Sequence, residues 1–199
     1  MNVPIDLGME DVLGHLDFTY MLYLEAGRGR WSAGLDAIYA RLSDNSTFAQ
    51  GPVSGSADLE ENQAFVTARI NYRAIDRPKV KLDLFAGVRW TYFDLNVDVN
   101  ANIGPRSFSE SVDFFDPVVG ARTIVSLSDK WFIQAGGEIG GFGVGSDLTW
   151  QAVGGIGYHL NSNWSILAGY RVMGVDYDKD GSRIDTTFKG PALGVTVRF

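Results

Sequence analysis

The run DYDKDG, Asp176 to Gly181, is the clearest place in this chain for chemistry. Oxygen ligands at alternate positions, Asp176, Asp178 and Asp180, followed by a glycine for a sharp bend, match the start of a calcium-binding loop. The match is partial. Thr187 stands where a bidentate Glu would close the site, and no helical pattern flanks it. The plain alternative is a hairpin loop ending in Asp-Gly. A second glycine-rich run, GGFGVGSD at 140–147, lies between strand patterns rather than between a strand and a helix. A compact turn explains it better than a phosphate-binding loop.

Catalytic groups are scarce. The chain has two histidines, His15 and His159, and neither has a serine and a carboxylate that the pattern brings to it. No catalytic residue is assigned. Zero cysteines exclude disulfides and thiolate metal sites. A net charge of −7 and a pI of about 4.7 argue against a basic nucleic-acid-binding face.

The elements that must position these residues repeat one pattern, alternation with a period of two. In the last stretch Pro191, Leu193, Val195, Val197 and Phe199 share one face, and Ala192, Gly194, Thr196 and Arg198 the other. The same alternation recurs over about 16–26, 31–42, 62–74, 79–92, 114–127, 131–140, 148–160 and 164–177, nine strands in all. Many aromatics and glycines among β-branched residues agree with an all-β fold. Residues 1–15 are expected to be a leader or loop with a short helix from Met9 to Leu16, and residues 16–199 one β-barrel domain.

Tight turns (27–30, 75–78, 128–130, 161–163) alternate with longer polar loops (43–60, 100–111, 141–147, 178–183). Transmembrane barrels show this asymmetry, with short turns on the periplasmic side. On the apolar register, Trp31, Tyr72, Trp131, Tyr158, Trp164 and Phe199 lie beside the tight turns or the C-terminus. Tyr39, Trp90, Tyr92 and Trp150 lie toward the long loops. Two aromatic levels with small aliphatics between them match a lipid-facing surface with two interfaces.

The expected fold is therefore an all-β, antiparallel, up-and-down transmembrane β-barrel. Its mean hydropathy of −0.03 is no objection, because lumen-facing residues offset lipid-facing ones. The lumen register would hold Asp17, Glu25, Asp36, Asp83, Asp116 and Glu138 with Arg69, Arg73, Lys81, Arg89, Arg122, Arg171 and Arg198. So many charges in a narrow barrel must pair, which predicts a plugged, salt-bridged interior rather than an open pore.

The stretch GGFGVGSDLTWQAVGGIGYHLNSNWSILAGYRVMGVDYD, with GPALGVTVRF at the end, resembles an uncharacterised family of small outer-membrane β-barrel proteins of Gram-negative bacteria. EAGRGRWSAGLDAIYARLSD, DLFAGVRW and FDPVVGARTIVSLSDKW fit the same resemblance. It implies an outer-membrane location in contact with lipid and lipopolysaccharide. It also implies recognition of the aromatic-ended closing strand by the barrel-assembly machinery. The family has a signal peptide and one more strand upstream; residues 1–15 show no basic start followed by an apolar core. Ten strands are expected for the complete barrel, since bacterial single-chain barrels have an even number. The functional expectation is a structural or narrow-channel role. A membrane-embedded lipid-modifying enzyme and a soluble barrel holding a ligand in an apolar lumen are the alternatives.

Overall fold

A computed structural model describes residues 16–50, 53–102, 104–179 and 182–199. The expected leader and helix, His15 among them, lie outside these residues apart from Leu16, which begins the first strand.

Nine strands follow one another: β1 (Leu16–Arg28), β2 (Trp31–Gln50), β3 (Val53–Asp76), β4 (Val80–Ala101), β5 (Gly104–Ser126), β6 (Trp131–Gly141), β7 (Leu148–His159), β8 (Trp164–Lys179) and β9 (Ser182–Val197). Each pairs antiparallel with its neighbours in sequence, so the fold is all-β, one up-and-down sheet. The sheet curls until distant strands touch through its concave side. Phe188 on β9 packs against Phe65 on β3 and Phe93 on β4, with ring centroids 5.8 and 6.2 Å apart. Among the described residues β1 pairs only with β2 and β9 only with β8, so two edges carry unpaired backbone groups.

The alternation has a definite sense. Along β4 the outward residues Leu84 and Val88 are 48% and 50% exposed, while Asp83 and Arg89, which flank them on the other face, are buried. The rule holds around the sheet: Trp31, Leu35, Val119, Ile133, Ile139 and Ile156 face out, and Asp36, Thr67, Asp116, Glu138 and Gln151 are buried inside. A water-soluble fold buries the opposite set. The two aromatic levels stand as expected, with Trp31 against Tyr72 and Trp131 against Tyr158 at the tight-turn end, both with centroids 4.9 Å apart.

Two of the expected loops are corrected. Residues 43–50 and 53–60 continue β2 and β3 as a paired ribbon, in register to Gln50↔Val53. Residues 94–101 and 104–111 likewise continue β4 and β5 to Ala101↔Gly104. Apolar residues are sparse at 43–50 and 104–111, and along β4 they change face after Tyr92, to Phe93, Leu95, Val97 and Val99, so the outward period-2 pattern breaks. The backbone ladder persists nonetheless, because each strand keeps its lateral partner. The 178–183 loop is also shorter than expected, since the ladder between β8 and β9 runs to Lys179↔Ser182. At the opposite end the turns are tight. Gly29, at φ 65°, supplies the left-handed residue that the two-residue turn between Arg28 and Trp31 needs.

Candidate functional site

The concave side of the sheet is the candidate site, because the buried polar residues converge there. Strand alternation delivers every second side chain to it, and the curl brings strands together that are far apart in sequence. It is built in three levels from the tight turns to the long hairpins.

In the lowest level Arg122 of β5 reaches two carboxylates, Glu25 of β1 and Asp83 of β4, each at 2.8 Å. It also donates to the Tyr23 hydroxyl at 2.9 Å. Arg73 pairs with the same Asp83, and Ser32 donates to Glu25 at 2.7 Å. Arg69 has no carboxylate within ion-pair distance among the described residues. Its guanidinium instead lies over the rings of Tyr23 and Phe85, 4.8 and 4.5 Å from their centroids, where the π faces offset part of the cost of burying the charge.

The middle level is the most deeply buried. Arg89 of β4 is paired with Glu138 of β6, and it also donates to Thr67 at 3.0 Å and to Thr149 at 3.1 Å. Arg171 of β8 faces Asp36 of β2 at 3.3 Å across the interior. Asp116 accepts from both the backbone N–H and the hydroxyl of Ser146, each at 2.7 Å. These bonds pull the 142–147 loop inward beside β5, above the point where the β5–β6 ladder ends at Val118↔Gly140. Gly145 is needed for that approach, since a Cβ there would sit 2.4 Å from the Phe115 carbonyl oxygen. Lys179 of β8 also holds the loop by donating to the carbonyls of Gly143 and Val144, at 2.7 and 2.9 Å.

The highest level is apolar, which the sequence reading did not foresee. Ile38, Phe65, Phe93, Phe114, Met173, Val175 and Tyr177 form one buried cluster, with Val112, Ile184 and Phe188 packed on it. Phe114 stacks on Tyr177 from across the interior, centroids 4.6 Å apart. The signal was present, since these side chains fall on the same register as the buried charges.

The expected charge pairing thus holds for Glu25, Asp36, Asp83 and Glu138 with Arg73, Arg89, Arg122 and Arg171. Asp116 is satisfied by a loop instead of a cation, and Arg69 by aromatic rings. Arg198, expected in the lumen, is exposed just beyond the end of β9, where its backbone N–H bonds to the Asn163 carbonyl.

Asp176 and Asp178, expected as calcium ligands, lie exposed on β8; Asp178 faces Arg183 at 3.9 Å, and Asp180 is outside the described residues. Among the described residues no group of three or more His, Asp or Glu side chains gathers to hold a metal. His159, for which no serine partner was foreseen, meets Ser165 through Nδ1 at 2.7 Å and stacks on Phe132. The β7–β8 register places them opposite each other, His159↔Ser165. Nucleophile activation also requires a third group that orients the base. The contacts of the His159 ring among the described residues are Ser165 and Phe132.

No family model matches the chain, and no curated protein matches it. Geometry alone carries the functional reading.

Proposed function

We propose that this chain is a membrane-spanning β-barrel of the outer-membrane type with a structural role and a lumen closed to diffusion. One observation carries the proposal: apolar side chains cover the outer surface of the sheet while the ion pairs are buried inside it. Lipid is the solvent in which that inversion is stable, and two aromatic levels mark where lipid would give way to water. A spanning strand needs about 9–11 residues. β2 to β5 have 20 to 24 residues each, so they would run beyond the bilayer as a four-stranded ribbon.

Closure follows from what fills the interior. The Arg171–Asp36 pair crosses it at the level where Arg89 and Glu138 are buried, and the Phe65–Phe93–Phe188 cluster occupies it at the next. An ion would have to displace a salt bridge and then cross an apolar layer.

The test is folding in detergent, read as a heat-modifiable band on a gel, followed by conductance in a planar bilayer. A fast-migrating folded band that appears only with detergent, and no steady conductance after insertion, are the expected results. A monodisperse, β-rich protein in plain buffer would overturn the membrane assignment, and stable channels would overturn the closed lumen.

A further inference from the structure

The tight-turn end of the sheet carries a collar of exposed cations: Arg28 and Arg30 at the first turn, Arg77 and Lys79 at the second, Lys130 at the third and Arg198 after β9. The exposed acids at this end are Glu25, which Arg122 holds at 2.8 Å, Asp76, which faces Arg73 at 3.7 Å, and Asp129. None of the six collar cations is in an ion pair among the described residues, although the interior Arg73 and Arg122 nearby are. The opposite end has the reverse sign. Asp58, Asp94, Asp98, Glu110 and Asp113 stand on the long ribbon, whose cations are Arg41 and Arg106. An overall charge of −7 therefore conceals a basic end and an acidic end.

The collar is adjacent to an aromatic level. Trp31 follows Arg30 directly, Trp131 follows Lys130, and Lys130 lies 5.9 Å from the Tyr158 ring centroid. Exposed indoles with cations just beyond them form a surface suited to the headgroup region, rings at the interface and charges among the phosphates.

We propose that this collar binds the headgroups of anionic phospholipids in the leaflet on the tight-turn side, giving the barrel an asymmetric lipid shell. The inference rests on the membrane-spanning reading above. Charge complementarity selects the partner, since unpaired cations spread around the rim suit many separate phosphates better than one compact ligand. The acidic ribbon is repelled by the same surface, so the two ends together favour one orientation.

Tryptophan quenching by brominated lipid tests it in the folded protein. Vesicles would contain phosphatidylcholine with phosphatidylglycerol, either lipid being the brominated one. A W90F/W150F protein reports from Trp31, Trp131 and Trp164 at the collar end, and a W31F/W131F/W164F protein from the other end. Phosphatidylglycerol should be favoured at the collar end, by about fivefold for one fully effective cation. The preference should fall in 1 M NaCl and be lost when R28Q/R30Q/R77Q/K79Q are added. Where the quadruple variant does not fold, R28Q/R30Q and R77Q/K79Q are read separately, each expected to lose part of the preference. Equal quenching by both lipids in a folded, inserted barrel would overturn the collar proposal and leave the membrane reading intact. A preference that survives high salt or the substitutions would overturn it too. A failure to insert at all would instead count against the membrane reading.

Discussion

Arg89 and Glu138 face each other from β4 and β6, one strand apart, with both side chains only 2% exposed. A pair so buried has lost its hydration, so its stability depends on keeping both partners. Removing one leaves a stranded charge. Glu138→Gln or Arg89→Met alone should cost about 3–5 kcal/mol. The double replacement Arg89→Met/Glu138→Met should cost much less than the sum, because it removes both charges together. Urea unfolding of the folded barrel in detergent, run as a double-mutant cycle, measures this. Additive effects would mean that the two groups do not depend on each other.

Phe188 joins β9 to β3 and β4 through ring contacts with Phe65 and Phe93. Phe188→Ala removes the ring that bridges the sheet at the apolar level, and core losses of this kind cost about 3–5 kcal/mol. The temperature at which the folded band disappears from the gel should fall. The Arg89–Glu138 level lies beneath and should keep conductance absent. Channels opened by Phe188→Ala alone would mean that the apolar level is the principal seal.

Glu61 lies on the ribbon, beyond the upper aromatic level and therefore outside the segment that would span a membrane in the proposed reading. Burial pushes its carboxyl above the usual range, and the hydrogen bond from the Gln63 side-chain amide at 2.5 Å pulls it back only in part. The folded state thus holds this proton to higher pH than the unfolded chain does. Its favourable contribution is complete below the unfolded pKa, 4.5, and is lost as pH rises through the higher folded value. Glu61→Gln should remove that pH dependence and slow amide exchange in the ribbon at neutral pH. Hydrogen exchange of the Glu61 hairpin, measured from pH 4 to 8 in both proteins, gives the comparison; identical profiles would contradict the assignment.

Val88 faces outward near the middle of β4, half exposed. In a lipid-facing position Val88→Arg should cost about 2–4 kcal/mol, the penalty for a cation at the bilayer midplane. The same change on the long ribbon, for instance Ser109→Arg, should be nearly neutral. Folding yields into vesicles of both variants decide the matter. Equal yields would indicate that the outer face does not meet lipid.

Much of this architecture was legible in the chain because strand alternation is a local property. A period of two assigned Asp36, Asp83, Asp116, Glu138, Arg89 and Arg122 to one face, and Leu84, Val88, Trp31 and Trp131 to the other, without any knowledge of partners. The aromatic levels followed once the turns were placed. Where the apolar residues changed face, as after Tyr92 to Phe93, Leu95, Val97 and Val99, or became sparse, as at 43–50 and 104–111, sequence reading failed. There, pairing with neighbouring strands keeps the chain extended, and a ladder is not a local property.

Only the tertiary structure decided who meets whom. Arg171 could have faced any carboxylate at its level; the curl of the sheet brings it to Asp36, six strands away. Asp116 meets a folded-back loop, and Arg69 meets two rings. The apolar level arises because Phe65, Phe93, Phe114 and Phe188, scattered over more than a hundred residues, come to one height in the lumen. Alternation tells each side chain which face to take. Curvature and register, set by the whole sheet at once, choose its neighbours across the interior.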